Sequence, residues 1–91
     1  KIAVELERSV KTKKRYEAIF SYYLQEIKKG QYHSVHYVCP SPEFAARLSR
    51  LFGLIESVPV AGERVKITDK HRDKFPVFCL SNWPPKDLEN I

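Results

Sequence analysis

Two glutamates near the start of the sequence, Glu5 and Glu7, have the residue type and spacing of a metal site. In a β-strand, residues i and i+2 project to the same side, roughly 6–7 Å apart at the backbone. Two carboxylates placed in this way can hold one Mg²⁺ or Mn²⁺, because these cations prefer oxygen ligands. A divalent cation polarises a phosphodiester and lowers the pKa of a bound water, so the pair indicates phosphodiester chemistry. The alternative, which spacing alone favours, is the solvated face of an edge strand.

A run of basic residues follows the two glutamates directly. Positions 8 to 15 carry five cations and no acid: Arg8, Lys11, Lys13, Lys14 and Arg15. Such a stripe suits a nucleic acid backbone, because each neutralised phosphate releases counterions. The alternative is a solvated helix face that only keeps the domain soluble. An acidic metal pocket beside a cationic rim is the combination that phosphodiester chemistry on DNA requires, and the net charge of +5 agrees with it.

The elements that must hold these residues follow from the periodicity of the apolar positions. Residues 2–8 alternate as a strand does, with Ile2, Val4 and Leu6 on one face and the two glutamates on the other. We expect the apolar face to be the buried one. From position 13 to about position 29 the apolar residues recur at helical spacing, with Thr12 as the expected N-cap.

A second strand and a second helix extend this pattern. A strand, a crossover helix and a strand within about forty residues form a βαβ unit, whose two strands are parallel. A strand of this kind tends to be central and covered on both faces, so paired glutamates on it need balancing partners. The sequence therefore predicts an α/β fold of βαβα order with further short strands and a partly parallel sheet. The expected elements are strands 2–8, 32–39, 63–68 and 77–80, and helices 13–29 and 42–55.

Length and composition limit the class of protein. With 91 residues, 43% hydrophobic and 30% charged, the sequence describes one α/β domain at 1–83 and a C-terminal tail at 84–91. It contains no apolar run of the roughly 20 residues that a membrane-spanning helix needs. Its two cysteines are too few for a disulfide framework, so we expect a reducing, cytoplasmic setting. Because it lacks methionine and opens within a predicted strand, we expect a piece of a larger protein.

The acidic strand and the basic aromatic helix together resemble a known family. The residues that carry the likeness span about positions 2–56: Ala3-Val4-Glu5-Leu6-Glu7, Lys11, Lys14, Arg15-Tyr16, Tyr22-Tyr23, the strand Val35–Cys39 and Ala45-Ala46-Arg47-Leu48. This stretch resembles the replication-relaxation proteins, and within them the MobC-type mobilization relaxases of plasmids, which are restriction-endonuclease-like folds with a variant PD-(D/E)XK motif. The resemblance implies the C-terminal half of a restriction-endonuclease-like fold.

The resemblance also implies roles for individual residues. Glu5 matches the acidic metal ligand of the motif, and Glu7 stands where the usual motif has its lysine, as in this relaxase group. The catalytic lysine then comes from the helix, where we expect Lys14, with Lys11 as the second choice. The remaining cations are expected to bind DNA: Arg8, Lys11, Lys13 and Arg15. The first aspartate of the motif lies on a preceding strand that this sequence does not include, so we expect the isolated piece to be inactive.

Three functions are consistent with the sequence. The first is part of a metal-dependent DNA nicking endonuclease, a relaxase, that uses Mg²⁺ or Mn²⁺ to start conjugative mobilization at a plasmid transfer origin. Its partners are DNA, other relaxosome proteins and a second copy paired through an exposed sheet edge. The second is a non-catalytic DNA-binding accessory module of plasmid transfer or replication. The third is a structural α/β domain that recruits a protein through its aromatic surface.

Overall fold

A computed structural model describes residues 1–86 and shows a mixed α/β fold with two sheets. The predicted βαβα order is confirmed, and so are the two principal helices. A 3₁₀ turn at Leu80–Asn82 follows the last strand. In chain order the elements are β1 (Ile2–Leu6), α1 (Lys13–Lys28), β2 (Ser34–Cys39), α2 (Pro42–Gly53), β3 (Ser57–Val60), β4 (Glu63–Lys66), α3 (Asp69–Arg72) and β5 (Val77–Cys79).

The main sheet has three parallel strands in the order β1-β2-β5. Since both crossovers step in the same direction and such connections are right-handed, α1 and α2 lie on the same face of the sheet. The expectation that the strand of Glu5 and Glu7 is central is wrong. In the described part of the chain β1 pairs only with β2, which is the central strand and is buried along its whole length.

The helices begin where the sequence predicts them to begin. The Thr12 side chain accepts a hydrogen bond from the amide of Arg15 at 3.2 Å, and Ser41 caps α2 through the amide of Phe44 at the same distance. Each cap satisfies one of the amides that the first helical turn leaves without a partner. α2 ends at Gly53, two positions before the expected end.

The core lies between the central strand and the two helices. Aromatic rings dominate it: Phe20 stacks on Phe75 at a centroid distance of 3.9 Å, and Tyr16 and Tyr37 meet Phe52 edge-on at 5.3 and 5.1 Å. Edge-to-face and stacked pairs of this kind are favourable beyond the apolar area that they bury. The side chains that α1 sends into this core come from the expected apolar stripe.

The buried face of β1 is the opposite of the one that the sequence predicts. Val4 is 43% exposed and Leu6 is 65% exposed, whereas Glu7 is only 5% exposed. Glu5 lies beside the core residue Tyr37 in the parallel register and therefore points toward the helices. Alternation identified the two faces of this strand correctly, but α1 covers the acidic one. The prediction that the apolar face is buried is wrong.

The remaining strands form a separate hairpin and the far edge of the main sheet. The sequence predicts a strand at 63–68, and the structure has β4 there, paired antiparallel with β3, which the sequence did not predict. The two-residue turn between them has positive φ at Ala61 and Gly62, as type I′ hairpins require. The strand predicted at 77–80 is confirmed as β5.

The end of the described chain returns to the sheet. The indole nitrogen of Trp83 donates to Nδ1 of His36 at 3.1 Å, which ties the residues after β5 to the central strand. Most of the predicted tail, at positions 87–91, lies outside the described residues. Within residues 1–86 no helix has the length and apolar character needed to cross a membrane.

Candidate functional site

Glu5 and Glu7 converge in a cavity of about 320 Å³ between β1 and α1. The prediction that the two glutamates share a strand face is confirmed. The alternative, a solvated face of an edge strand, is excluded for Glu7, which is almost fully buried. The lining comprises both glutamates, two cations, two aliphatic side chains and three tyrosines: Glu5, Glu7, Lys11, Arg15, Ala18, Ile19, Tyr22, Tyr23 and Tyr37.

Both carboxylate oxygens of Glu7 have partners. The Lys11 ammonium lies 2.5 Å from Oε1, and the Tyr16 hydroxyl donates to Oε2. The same hydroxyl accepts a hydrogen bond from the backbone amide of Lys11 at 3.1 Å, which joins the three residues in one network. A buried carboxylate is costly unless it is paired and hydrogen-bonded, and here it is both. Burial, and then the bond to Glu7, raise the pKa of Tyr16 well above its usual value.

Glu5 has one engaged oxygen and one that faces no partner in the described part of the chain. The Tyr23 hydroxyl donates to Oε1 at 2.5 Å. Burial raises the pKa of Tyr23 far above its ordinary range, and the hydrogen bond to Glu5 adds to the shift. Tyr23 therefore stays a neutral donor at physiological pH. The carboxylate of Glu5 is the more accessible of the two and the better placed to meet a ligand.

Tyr37 contributes a buried hydroxyl without a hydrogen-bond partner among the described residues. Its side chain is 1% exposed and lines the cavity. Burial, followed by the charges of Glu5 and Glu7, raises the pKa of Tyr37 far beyond its ordinary value. An unsatisfied buried hydroxyl costs about 1–3 kcal/mol, so this group is an unusual feature of a folded protein.

The structure brings Lys11 to the carboxylates and not Lys14. Arg15, Ala18, Ile19, Tyr22 and Tyr23 reach the cavity because they recur at the three- and four-residue spacing of one helix face. Lys14 lies off this face, is exposed and does not line the cavity. Lys11 precedes the helix, and the chain between β1 and α1 carries it back onto Glu7.

The cations expected to bind DNA lie at different places around this cavity. Arg15 lines it, and Lys11 is held by Glu7 with its side chain 38% exposed. Arg8 lines a neighbouring cavity of about 240 Å³, beside Leu6 and Leu80. Lys13 is exposed on the first turn of α1. The predicted DNA-binding cations therefore have different surroundings: Lys11 forms an ion pair with Glu7, whereas the others are exposed.

The cavity offers two carboxylates as candidate ligands of a divalent cation. No group of three or more histidine, cysteine, aspartate or glutamate side chains converges anywhere in residues 1–86. Glu5 and Glu7 supply two carboxylates, and Mg²⁺ commonly takes only one or two with water as the remaining ligands. The free oxygen of Glu5 and the unpartnered hydroxyl of Tyr37 are the polar groups of the cavity that the protein leaves unused.

Three tyrosines in or beside the site were missed as functional residues by sequence reasoning. Tyr16 and Tyr23 occur in the apolar stripe of α1, and Tyr37 occurs in the predicted strand 32–39. The presence of tyrosine rather than phenylalanine at these apolar positions could have identified them. A buried tyrosine needs a hydrogen-bond partner for its hydroxyl, whereas phenylalanine at the same position needs none. Tyr22, the neighbour of Tyr23 on α1, is 55% exposed at the cavity.

Comparison with known proteins found no matching family model, curated protein or solved structure.

Proposed function

We propose that this chain carries part of a metal-dependent DNA nicking site of the relaxase type, in a restriction-endonuclease-like fold, that starts plasmid mobilization at a transfer origin. The observation that carries the proposal is the convergence of Glu5 and Glu7 on the helix-covered face, in one cavity with Lys11 and Arg15. Two acids on the covered face of an edge strand are costly unless they are paired and hydrogen-bonded, and Lys11, Tyr16 and Tyr23 supply those partners. The family resemblance of residues 2–56 supports the same assignment.

Each residue of the cavity has a distinct task in this proposal. Glu5 and Glu7 would hold Mg²⁺ or Mn²⁺, which when bound polarises the scissile phosphate and lowers the pKa of its water. Lys11 neutralises Glu7 and keeps its carboxylate oriented. Arg15, at the cavity and free of any ion pair among the described residues, is placed to bind a phosphate. Lys11 therefore replaces Lys14 as the proposed active-site lysine.

The exposed cations would hold the DNA strand outside the cavity. Arg8, Lys13 and Lys14 are all exposed and flank the start of α1. Their contribution is electrostatic and independent of sequence, so it should weaken steeply as salt rises. The partners of this site are then plasmid DNA and the other relaxosome proteins, in the cytoplasm.

A nicking assay tests the proposal. The intact gene product that contains this sequence is incubated with supercoiled plasmid carrying its cognate transfer origin, in Mg²⁺, Mn²⁺ or chelator. Open-circle product is expected only with a divalent cation, and Glu5→Gln and Glu7→Gln are each expected to reduce it by at least about 100-fold, the order of loss for a group that acts on the transition state. The control is Glu43→Gln, on the exposed first turn of α2, which should nick normally.

The variants must remain folded for this result to count. Glu7→Gln disturbs the bonds with Lys11 and Tyr16, so its thermal unfolding and DNA binding are measured beside its nicking. Glu5 is less buried and has a single protein partner, which makes Glu5→Gln the cleaner variant. Full DNA binding with no nicking in any cation by the native protein would contradict the enzymatic proposal.

One observation favours a second function, a non-catalytic DNA-binding module. Both oxygens of Glu7 are already engaged by Lys11 and Tyr16, as they would be in a purely structural network. A module of this kind needs the exposed cations but not the carboxylates. Its DNA affinity would therefore be the same in chelator and in Mg²⁺ and would be unchanged by Glu5→Gln, while keeping a steep dependence on salt.

A further inference from the structure

Three buried or half-buried tyrosines in or beside the cavity differ in the hydrogen bonds that their hydroxyls form. The hydroxyls of Tyr16 and Tyr23 each donate to a glutamate, whereas the hydroxyl of Tyr37 has no partner among the described residues. Tyr37 stands opposite Glu5 in the parallel register of β1 and β2. Paired positions of neighbouring strands project to the same side, so the Tyr37 ring lies next to the Glu5 side chain.

The ring of Tyr37 is fixed in place. It meets Tyr16 edge-on at a centroid distance of 6.3 Å and Phe52 edge-on at 5.1 Å. These contacts come from both helices, so the ring cannot turn toward another acceptor without disturbing the core. Glu7 is engaged by Lys11 and Tyr16, and Oε1 of Glu5 is engaged by Tyr23. The second oxygen of Glu5 forms no hydrogen bond with the Tyr37 hydroxyl, which has no partner among the described residues. The ring contacts therefore hold the hydroxyl in a fixed position beside the cavity, without a hydrogen-bond partner among the described residues.

The partner that this hydroxyl lacks is an acceptor from outside the protein. A phenol is a good donor to oxygen, and a charged acceptor makes the stronger bond. Arg15, the cavity cation that forms no ion pair among the described residues, favours an anionic oxygen from among the possible ligands. A volume of about 320 Å³ accommodates a phosphate group with its first waters.

We infer that Tyr37 is a substrate-binding residue whose hydroxyl donates to a phosphate oxygen of the DNA strand bound in the cavity. The inference rests on the proposed function and adds to it a residue that neither the acidic motif nor the basic run contains. Tyr37 takes no part in holding the cation. The Tyr37 hydroxyl forms no hydrogen bond in the free protein and donates one only when the DNA strand is bound.

The test compares the native protein with Tyr37→Phe and with a control, Tyr32→Phe, whose ring lies outside the cavity. The probe is a fluorescein-labelled 20-nucleotide single strand from the transfer origin, titrated in Ca²⁺, which takes the same oxygen ligands as Mg²⁺, and in chelator. Tyr37→Phe is expected to weaken the Ca²⁺-supported affinity about ten-fold, the effect of one hydrogen bond to a charged group. In chelator all three proteins should bind alike.

A second measurement separates a binding role from a structural one. Because the hydroxyl has no partner in the free protein, Tyr37→Phe should unfold at the same temperature as the native protein or a higher one. A clear loss of thermal stability would show that the hydroxyl is bonded in the free protein and would overturn the inference.

The binding results distinguish this inference from the function on which it rests. Equal Ca²⁺-supported affinity of the native protein and Tyr37→Phe would overturn the role of Tyr37 and leave the metal-dependent site intact. A native protein whose affinity does not rise in Ca²⁺ would contradict the proposed function and the role of Tyr37 together.

Discussion

The hydroxyl of Tyr16 donates to the buried carboxylate of Glu7, across the space between α1 and β1. This bond, together with the ion pair that Lys11 makes to the other oxygen at 2.5 Å, explains why the acidic face of β1 can lie against the helices. A single apolar residue at position 16 would leave the carboxylate short of a donor in a place that water hardly reaches. The aromatic stripe of α1 therefore also stabilises the buried carboxylate of Glu7, through the hydroxyl of Tyr16.

Removing the Tyr16 hydroxyl should destabilise the protein. Tyr16→Phe keeps the ring and its packing on Phe52 but removes a donor to a charged, buried acceptor. We expect a loss of about 2 kcal/mol in the free energy of unfolding, measured by urea denaturation at constant slope. Tyr22→Phe, at an exposed position, is the control and should stay within about 0.5 kcal/mol of the native protein. An unchanged urea midpoint for Tyr16→Phe would contradict the account of this bond.

Lys11 and Lys14 should differ in what they stabilise. Lys11→Met leaves Glu7 without its counter-charge, and because the Lys11 side chain is 38% exposed we expect a cost of about 1–2 kcal/mol rather than that of a fully buried pair. Lys14→Met removes an exposed cation with no ion pair among the described residues and should change stability by less than about 0.5 kcal/mol. Equal urea midpoints of the two variants would contradict the pairing of Lys11 with Glu7.

The outer face of β1 should tolerate polar substitution. Leu6 is 65% exposed, so Leu6→Ser should change the unfolding free energy by no more than about 0.5 kcal/mol. Leu48→Ala, at a fully buried position of α2, should cost about 2–5 kcal/mol because it leaves a cavity in the core. Thermal unfolding of both variants tests which face of β1 is buried. If Leu6→Ser lost as much stability as Leu48→Ala, the face that carries Leu6 would be covered.

Acidification should weaken the contact between the central strand and the end of the described chain. Burial, and then the charge of His33, lower the pKa of His36 below its ordinary value of 6.5. The Nδ1 atom of His36 accepts from Trp83 and must be unprotonated to do so. The unfolded chain therefore binds more protons than the folded one below that pH. The contribution to stability is complete above about pH 6.5 and is lost as the pH falls toward the lowered pKa.

A variant isolates this dependence on pH. His36→Asn retains a side-chain acceptor but does not titrate, so its unfolding free energy should fall less between pH 7.5 and pH 5 than that of the native protein. The control His33→Gln, at an exposed position, leaves the bond between Trp83 and His36 in place. Parallel decline of the native protein and His36→Asn would exclude His36 as the source.

Local signals predicted much of this fold. Thr12 and Ser41 fixed the helix starts, because a capping oxygen acts only on the first turn beside it. The crossover length predicted parallel strands. The hairpin strand β3 was not predicted because it is short and has Pro59 inside it, and proline normally argues against a strand except at an edge.

The candidate site could be predicted only in part. The convergence of Glu5 and Glu7 follows from the period of a strand, but which strand face the helices cover depends on the whole topology. The choice between Lys11 and Lys14 depends on the path of the irregular segment after β1, which has no periodicity to read. The roles of the tyrosine hydroxyls depend on distances between elements that are far apart in sequence.

The central claim is that the cavity between β1 and α1 takes a divalent cation on Glu5 and Glu7, and paramagnetic broadening by Mn²⁺ tests it most directly. Substoichiometric Mn²⁺ is added to isotope-labelled protein, and the loss of each amide signal is compared with that in Mg²⁺. We predict that the losses centre on residues 5–7 and on Tyr37, and that Glu5→Gln abolishes them while Glu43→Gln does not. Losses centred elsewhere, or unchanged in Glu5→Gln, would contradict the claim.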